Sequence, residues 1–352
     1  MKLLIFAGLS EKKLISKILP ITCISNVESI YLIRNIPLKF DRVIDINVPL
    51  IFRFPFFQEA IKLISGIWIC LTKKVDYIIS FYLIPHGILG YIVAKVLRKP
   101  VIQVSLGEDI LFYESHKIIG RKILLNSKHI GTRGTHSQKR LQKLVQKSLP
   151  FFSSPNVFKI PPKKNIELKK EDKDFDIISV TNFSRAKRLD IFLKIVKKIK
   201  EDYPEIKTLV IGGKGRRKTI FQKYRNKMGL NRNVEFLGYT NHVVSYLMRS
   251  KIFILTSEIE GIPMAMLEAM SLGMPCVVPD VGDIKDVAIN EHNALVVNPL
   301  DVENFVFAVK RLLTEPNLYR RLSENAYTFI QEKKYEYSLD NVKNIWENLF
   351  SI

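Results

Sequence analysis

Short apolar runs alternate with helical patterns along this chain, and the alternation begins twice. In the first half, the apolar runs are KLLIFA (2–7), IYLIR (30–34), RVIDINV (42–48), YIISF (77–81) and VIQVS (101–105). Helical patterns separate these runs, starting at about Ser10, Phe56 and His86. Because parallel strands are joined by crossover helices and are buried on both faces, the alternation predicts an α/β fold with a doubly wound parallel sheet.

A second alternation occupies the rest of the chain. Its apolar runs are DIISVT (176–181), KTLVIGG (207–213), NVEFLG (233–238), KIFILT (251–256), PCVVPD (275–280) and ALVV (294–297). Helical patterns lie between them, and three further helical stretches close the sequence. The predicted architecture is therefore two Rossmann-like, doubly wound domains facing a cleft. Ligands of such sheets bind beyond the carboxyl ends of the strands, so a site is expected in the loops after the apolar runs.

A charged segment separates the two alternations. KIPPKKNIELKKEDKD (159–174) contains two prolines and a dense run of mixed charge, which is typical of a solvated linker. A chain of 352 residues also exceeds what one hydrophobic core usually organises. We predict an N-terminal Rossmann-like domain (1–160), a linker (161–174), a C-terminal Rossmann-like domain (175–335) and a C-terminal helix (336–352) that can pack back on the N-terminal domain.

The chain is strongly basic. Lys and Arg number 55 against 34 Asp and Glu, a net charge of +21, which indicates anionic partners such as nucleotides, acidic lipid or nucleic acid. Nucleic acid is not expected, because the basic segment KRLQKLVQK (139–147) lacks interleaved aromatic residues and a binding module. The widely spaced Cys23, Cys70 and Cys276 predict buried thiols in a reducing compartment, with neither a disulfide nor a zinc site.

Two apolar segments raise the question of a membrane. YIISFYLIPHGILGYIVAKVL (77–97) approaches the length of a span, but Pro85 and Gly87 interrupt it. A strand followed by a helix is the favoured interpretation. LIFRFPFFQEAIKLISGIWICLTKK (50–74) mixes aromatic and basic residues. It fits docking on an anionic membrane surface, and it fits an ordinary core helix equally well.

The segment SEIEGIPMAMLEAMSLGMP (257–275) places two glutamates around the start of a short helix. Gly261 permits close backbone approach, and Pro263 suits the first helical position. The free N–H groups of the helix start would face an anion, while Glu260 and Glu268 can accept hydrogen bonds from hydroxyl groups. This pattern favours a nucleotide-sugar site, although two such glutamates often only complement the helix dipole.

A basic turn, NFSRAKRLD (182–190), follows the apolar run DIISVT. Arg185, Lys187 and Arg188 cluster in this turn, and guanidinium and ammonium groups neutralise phosphate well. The turn and the Glu260 loop are expected on the same edge of the second sheet, which favours a diphosphate site. A basic surface loop without function is the alternative.

Weaker candidates follow other apolar runs. IGGKGRRK (211–218) resembles a phosphate loop only weakly, because its glycine spacing matches neither a dinucleotide fingerprint nor a P-loop. Gly8 can bring backbone N–H groups towards a phosphate, or can simply relieve a turn. Asp109 can orient an acceptor or sugar, or can cap the next helix. His86 is a minor candidate, since a histidine at a helix start is more often structural. The sequence contains no cluster with metal-ligand spacing.

Together these residues resemble the nucleotide-binding domain of retaining glycosyltransferases of the GT-B fold, specifically glycosyltransferase family 4. The resemblance rests on E-G-x-P at 260–263, a second Glu eight positions after the first, E-A-M-x-x-G-x-P at 268–275 and a Gly-containing turn at 282–286. It covers most of residues 176–300, and the first half only in general layout.

The resemblance implies roles for particular residues. Glu260 contacts the donor sugar, Glu268 holds the ribose hydroxyls, and Lys187 neutralises the diphosphate. Glu260, Lys187 and Asp109 are the catalytic candidates, and the departing phosphate helps to deprotonate the acceptor. The donor-binding candidates are Gly8, Arg185, Lys187, Arg188, Gly238, Glu260, Gly261, Ile262, Pro263, Met264, Ala265 and Glu268.

Three positions depart from the family pattern. The arginine that usually precedes the lysine falls at about Asn182, so that Arg185 or Arg188 would substitute for it. Leu106 stands where many relatives carry a histidine, and the usual Gly-Gly-x-x-Glu turn begins here with Gly282-Asp283. The acceptor half of the site is therefore less well defined than the donor half.

The predicted activity is metal-independent transfer of a sugar, with retention of configuration, from a nucleoside-diphosphate sugar to a glycan or lipid-linked acceptor. Uridine donors are expected first and guanosine donors second, in the synthesis of polysaccharide or lipopolysaccharide. No cofactor is expected, because the nucleotide sugar is a substrate. A GT-B-fold nucleotide-sugar epimerase and a non-catalytic nucleotide-sugar-binding protein are the alternatives. The expected location is cytoplasmic, with peripheral attachment to the inner face of the cytoplasmic membrane.

Overall fold

The computed structural model describes residues 1–48, 55–107, 109–160, 173–213 and 216–351. The chain divides into two compact units, Met1–Lys159 with Tyr335–Ile352, and Ile160–Lys334. Most of the predicted linker (161–172) lies outside the described residues, as does the start of the predicted membrane-docking segment (50–54).

The first unit is built on a parallel sheet. Its seven described strands are β1 (Lys2–Ala7), β2 (Ser29–Arg34), β3 (Val43–Asn47), β4 (Tyr77–Phe81), β5 (Val101–Val104), β6 (His129–Thr132) and β7 (Phe151–Ser153). They lie in the order β3-β2-β1-β4-β5-β6-β7, and their pairings are parallel. The central strands β1 and β4 are almost wholly buried, which explains why their sequences are continuous apolar runs.

Helices cover both faces of this sheet. Those described in the first two-fifths of the chain are α1 (Glu11–Thr22), α2 (Pro55–Lys73), α3 (Ile88–Leu97), α4 (Ile110–Ser115), α5 (Lys117–Leu125) and α6 (Thr135–Val145). Alternate residues of β1 face opposite sides: Leu3 and Ile5 pack with α1, whereas Leu4 and Phe6 pack with α2 and α3. Residues 77–97 form β4, a short helical turn and α3. No helix in the described part of the chain is long and apolar enough to cross a bilayer.

The second unit repeats the plan with a six-stranded sheet in the described residues. Its strands are β8 (Phe175–Val180), β9 (Thr208–Ile211), β10 (Val234–Gly238), β11 (Ser250–Ile254), β12 (Cys276–Pro279) and β13 (Leu295–Val297). They lie in the order β10-β9-β8-β11-β12-β13, again with parallel pairings. The strand order reverses between β8 and β11, so the loops after these two strands flank the crevice where such sheets bind ligands.

The remaining helices complete the two units. They are α7 (Leu189–Asp202), α8 (Arg216–Lys227), α9 (Val243–Met248), α10 (Met264–Ser271), α11 (Val302–Thr314), α12 (Pro316–Glu332) and α13 (Leu339–Ser351). Helix α13 belongs to the first unit. Its Trp346 is buried there, with its ring edge-on to Phe152 of β7 at 5.4 Å between centroids. The C-terminal segment therefore contributes to the core of the first unit.

The three cysteines are free thiols. Cys70 and Cys276 are buried as expected, but the expectation is wrong for Cys23, which is exposed. Cys23 caps the carboxyl end of α1, and helix ends face solvent more often than the helix face that packs on a sheet.

Candidate active site

Two loops at the carboxyl edge of the second sheet bring a lysine and a glutamate together. Lys187 follows β8 and Glu260 follows β11, two neighbouring parallel strands. The Nζ of Lys187 lies 2.9 Å from Oε2 of Glu260, and each side chain is only 10% exposed. The hydroxyl of Ser257 donates to Oε1 of Glu260 over 2.7 Å. Both oxygens of the glutamate therefore have a partner, and the carboxylate is held in one orientation.

The backbones of these two loops are also joined. The N–H of Glu258 donates to the carbonyl of Ala186 over 2.8 Å. The hydroxyl of Thr256 donates to the carbonyls of Lys187 and Arg188, each over 3.1 Å. The ion pair thus rests on a hydrogen-bonded framework, and Thr256 and Ser257 are supporting residues that the sequence motifs did not single out.

The two arginines of the basic turn have different surroundings. Arg188 makes a two-pronged ion pair with Asp190, at 2.9 and 2.8 Å, and a further hydrogen bond to Glu258. These carboxylates raise the pKa of Arg188, and Arg188 in turn lowers the pKa of Asp190. Arg185 is exposed and has no side-chain hydrogen bond or ion pair to any described residue. The charge of Arg188 is therefore already neutralised, and Arg185 is the better partner for an added anion.

A cavity of about 530 Å³ lies beside this turn. Arg185, Arg188 and Arg217 line it together with the rings of Phe183 and Phe221. A guanidinium nitrogen of Arg217 donates to the carbonyl of Phe183 over 3.1 Å. Arg217 comes from the weak glycine-loop candidate at 211–218, whose Lys214 and Gly215 lie outside the described residues. The structure thus adds a basic side chain that sequence patterns did not assign to the site.

Gly238, at the end of β10, lies close to the end of β9. Its carbonyl accepts a hydrogen bond from the N–H of Gly212 over 2.8 Å. A Cβ on Gly212 would lie 2.0 Å from the carbonyl oxygen of Thr181, which follows β8. A Cβ on Gly238 would lie 3.1 Å from the Nζ of Lys218. Glycine at position 212 therefore lets the ends of β8 and β9 approach each other, and glycine at position 238 leaves room for the side chain of Lys218.

The segment after Glu260 leads into helix α10. Pro263 has extended backbone angles and caps the helix, so its predicted place inside the first turn is wrong by one position. The residues predicted to offer backbone contacts are otherwise at or next to the helix start, as expected: Gly261, Ile262, Met264 and Ala265. Glu268 lies in the second turn and is half-buried.

A glycine turn after β12 packs directly against the backbone of Glu260. Gly282 has φ +54°, and a Cβ there would lie 1.8 Å from the carbonyl oxygen of Glu260. The following Asp283 is fully buried. The turn therefore requires glycine both for its backbone angle and for its close approach to the Glu260 backbone.

The first unit contains the other catalytic candidate, Asp109. Its Oδ1 accepts hydrogen bonds from the Ser105 hydroxyl (2.7 Å) and from the N–H groups of Leu106 (3.0 Å) and Gly107 (3.1 Å). Its Oδ2 accepts from the N–H of Leu83 (3.2 Å). Burial raises the pKa of this carboxyl, against these hydrogen bonds. Asp109 makes no side-chain cap on α4, so the capping interpretation is wrong. Its hydrogen bonds tie the end of β5 to the segment after β4. A contact from Asp109 to an acceptor or sugar stays a prediction.

Leu106, Gly8 and His86 also lie in the first unit. Leu106 is buried in the apolar core beside α1, so this position carries no polar group towards solvent. Gly8 is exposed, and a Cβ on it would lie 2.5 Å from Cε1 of the buried His86. Burial and the charge of Lys62 lower the pKa of His86 to about 3, so the imidazole is neutral at physiological pH. Gly8 is therefore held against a neutral histidine.

Acidic, histidine and cysteine side chains are the usual protein ligands of metal ions. In the part of the chain that the structure describes, no three of them come together in a way that could hold a metal ion. The expected reaction without a metal stays a prediction.

Comparison with known proteins finds a family match within the second unit and relatives that extend beyond it. Residues 162–329 match the family described as Glycosyl transferases group 1. The chain is 24% identical to the N-acetyl-alpha-D-glucosaminyl L-malate synthase of Bacillus anthracis over 307 residues, which are 82% of this chain and 78% of that protein. It is 28% identical to the UDP-Gal:alpha-D-GlcNAc-diphosphoundecaprenol alpha-1,3-galactosyltransferase of Escherichia coli over 122 residues, 35% of this chain and 31% of that enzyme.

A solved structure has the same fold over the whole chain. HepE of Anabaena, in complex with UDP and glucose, matches with a TM-score of 0.80 and 15% identity over 100% of both chains. Two parallel-sheet Rossmann-like units therefore define an α/β protein of the GT-B class. Residues 162–329 thus resemble the group 1 glycosyl transferases, and the chain is a transferase enzyme. The predicted fold class and enzyme class are confirmed. The match to group 1 glycosyl transferases is consistent with family 4, which stays a prediction.

Proposed function

We propose that this enzyme is a retaining glycosyltransferase of family 4 that moves a sugar from a nucleoside-diphosphate sugar to a glycan or lipid-linked acceptor. The observation that carries the proposal is the Lys187–Glu260 pair, 2.9 Å apart at the carboxyl edge of the second sheet. A cation for the diphosphate and a carboxylate for sugar hydroxyls stand side by side, next to the start of α10. This is the chemistry that a nucleotide-sugar donor requires.

The proposed mechanism stabilises the leaving diphosphate with fixed positive charge. Lys187 and Arg185 neutralise the phosphate oxygens, and the N–H groups at the start of α10 add hydrogen bonds. Glu260 binds hydroxyls of the donor sugar, and Glu268 binds the ribose. No protein nucleophile takes part; an oxygen of the departing phosphate accepts the proton of the acceptor hydroxyl. This assignment involves no metal ion and no cofactor.

Uridine nucleotides are the proposed donors, with guanosine nucleotides second. HepE, which shares the fold, was solved with UDP and glucose, and the relative from Escherichia coli is named for a UDP-galactose donor and a diphosphoundecaprenol-linked acceptor. The diphosphoundecaprenol-linked acceptor in the name of the Escherichia coli relative supports our proposal of a lipid-linked acceptor, in polysaccharide or lipopolysaccharide synthesis.

A thermal-shift screen tests the donor proposal. UDP and UDP-sugars should raise the unfolding temperature most, GDP-sugars less, and CMP not at all. A ligand at 100 times its Kd stabilises the folded state by about 2.7 kcal/mol, which is several degrees for a chain of this size. Absence of a shift with every uridine and guanosine nucleotide at millimolar concentration would contradict the proposed function.

Helix α2 supports attachment to an anionic membrane. One of its faces packs in the core through Ile69 and Cys70, so the core-helix interpretation is correct for that face. On the other face, four large apolar side chains are between 53% and 66% exposed, at spacings that align them along the helix: Phe57, Ile64, Trp68 and Leu71. Lys73 and Lys74 follow at its end. An apolar stripe ending in lysines fits an interfacial helix on acidic lipid.

Liposome flotation tests this attachment. The full-length protein should float with vesicles that contain phosphatidylglycerol, and replacing Ile64 and Trp68 with serine should reduce the bound fraction several-fold. Phe307→Ser is the matched control, since Phe307 is 63% exposed on α11 of the other unit. Two results would rule out α2 as the docking surface. One is that the unaltered protein does not float with the vesicles. The other is that the unaltered protein, the Ile64/Trp68 variant and Phe307→Ser bind equally.

A further inference from the structure

A group of polar residues, linked by contacts to one another, lies at the carboxyl edge of the first sheet. It surrounds the ends of β1, β2 and β4, where the strand order reverses between β1 and β4. In open parallel sheets this reversal opens the crevice in which ligands bind. The roles proposed above use none of the charged side chains of this group.

The contacts of the group can be followed from residue to residue. A guanidinium nitrogen of Arg34, at the end of β2, donates to the carbonyl of Leu9 over 3.3 Å. Gly8 precedes Leu9 and packs on His86. His86 lies within electrostatic reach of Lys62, whose Nζ is 2.7 Å from Glu59 on the same helix.

The first turn of α2 completes the group. Gln58, next to Glu59, accepts a hydrogen bond from the amide nitrogen of Asn35 over 3.3 Å. Asn35 directly follows Arg34. The ends of β2 and β4 and helix α2 thus contribute side chains to one group, beside the backbone that follows β1. We call this group the polar ring: Arg34, Asn35, Gln58, Glu59, Lys62 and His86.

Four atoms of the polar ring are buried and have no hydrogen-bond partner among the described residues. They are Nη1 of Arg34, Oδ1 of Asn35, Oε2 of Glu59 and Nδ1 of His86. Arg34 is 2% exposed and His86 is 6% exposed. Buried polar atoms in native proteins nearly always have partners, and an unmet one is unfavourable. A group of four in one ring therefore points to a ligand or to bound water.

The donor or acceptor character of these four atoms indicates which kind of ligand would fit them. Arg34 offers only a donor, Asn35 Oδ1 and Glu59 Oε2 offer only acceptors, and the neutral His86 can supply either. An anion could satisfy Arg34 but would be repelled by Glu59. The charges within the ring are also balanced, because Lys62 pairs with Glu59 and Arg34 lies near Asp45. Hydroxyl groups, which both donate and accept, satisfy all four atoms.

We propose that the polar ring binds a neutral polyhydroxylated group, the sugar or polyol end of the acceptor. Gly8, which is exposed beside the buried His86, marks where the ring reaches the surface. The proposal rests on the proposed transferase function and specifies its acceptor: hydroxyl groups are recognised here, and an acidic group of the acceptor is not.

Saturation-transfer NMR on the full-length protein tests the proposal, with UDP present to fill the donor site. Methyl α-glucoside, methyl N-acetyl-α-glucosaminide and glycerol are the neutral probes, and L-malate and inorganic phosphate are the anionic ones. At least one neutral probe should bind. Glu59→Gln and Asn35→Ala should each weaken its binding roughly fivefold, which is the effect of losing about one hydrogen bond. Glu59→Gln removes the ion-pair partner of the buried Lys62, and the variant could fail to fold for that reason. Asn35 is half-buried and is not part of that ion pair, so Asn35→Ala tests the proposal independently.

Glu28→Gln is the matched control. Glu28 precedes β2 at the opposite edge of the same sheet and pairs with Lys2 at 3.3 Å, so its replacement should leave probe binding unchanged. The proposal is overturned if only anions bind, if no probe binds to protein that binds UDP, or if the ring variants bind the probes as well as the control does. Failure of UDP itself to bind would instead contradict the proposed function, whatever the glycosides do.

Discussion

Replacing Lys187 with methionine should lower kcat/KM for UDP-sugar turnover by about 10²–10³-fold, the usual loss when one fixed donor to a developing anion is removed. Methionine retains the length of the side chain but not its charge. The remaining Glu260 would be a nearly buried carboxylate without its cation, and such a loss destabilises a protein by about 3–5 kcal/mol. Activity and stability should therefore both fall.

The double variant Lys187→Met/Glu260→Gln separates these two effects. Removing both charges should restore most of the free energy of unfolding, measured by urea denaturation, while turnover measured as UDP release stays low. Lys251→Met is the matched control, because Lys251 pairs with Asp176 at 2.8 Å at the opposite edge of the same sheet. Near-normal turnover in folded Lys187→Met would remove this lysine from the mechanism.

Replacing Gly282 with alanine should lower turnover by about 10²-fold, as expected for a catalytic group displaced by about 1 Å. The new methyl group would lie 1.8 Å from the carbonyl oxygen of Glu260, so one of the two backbones must move. Glu260 would then shift relative to Lys187 and Ser257. UDP affinity should change less than turnover, because the sugar contact is displaced more than the phosphate contacts.

Gly229→Ala is a control for the backbone strain alone. Gly229 has φ +70°, but a Cβ there meets nothing within 4 Å. Both variants incur the penalty of a left-handed alanine, and only Gly282→Ala adds a steric clash. Equal turnover in the two variants would show that the turn after β12 does not position Glu260.

Most strands were predictable because they are buried parallel strands. The runs KLLIFA and YIISF lie in the centre of the first sheet, where both faces need apolar side chains. Strands β6 and β7 were missed: HIGT and FFS are only four and three residues long. Strand β7 lies at the edge of the sheet and is not fully buried. Strand β6 is mostly buried but too short for an apolar run to stand out.

The site was predictable to the level of loops but not of individual partners. Lys187 and Glu260 follow strands whose carboxyl ends share an edge, so their proximity could be inferred from order along the chain. Which arginine is available depends on neighbours far apart in sequence, since Glu258 and Asp190 together neutralise Arg188. The internal hydrogen bonds of Asp109 are likewise invisible in a motif.

The sequence by itself determined the two-domain parallel fold and the resemblance to glycosyltransferases, because each depends on local periodicity and on residues close together in the chain. It also indicated the two loops that bring Lys187 and Glu260 together. Only the tertiary structure showed that Arg188 is paired with two carboxylates and Arg185 with none among the described residues. It also showed that Asp109 accepts hydrogen bonds from two segments and that six polar residues gather at the carboxyl edge of the first sheet. These outcomes depend on contacts between side chains of separate strands, helices and loops. A pattern along the sequence does not show which of those side chains pair with one another.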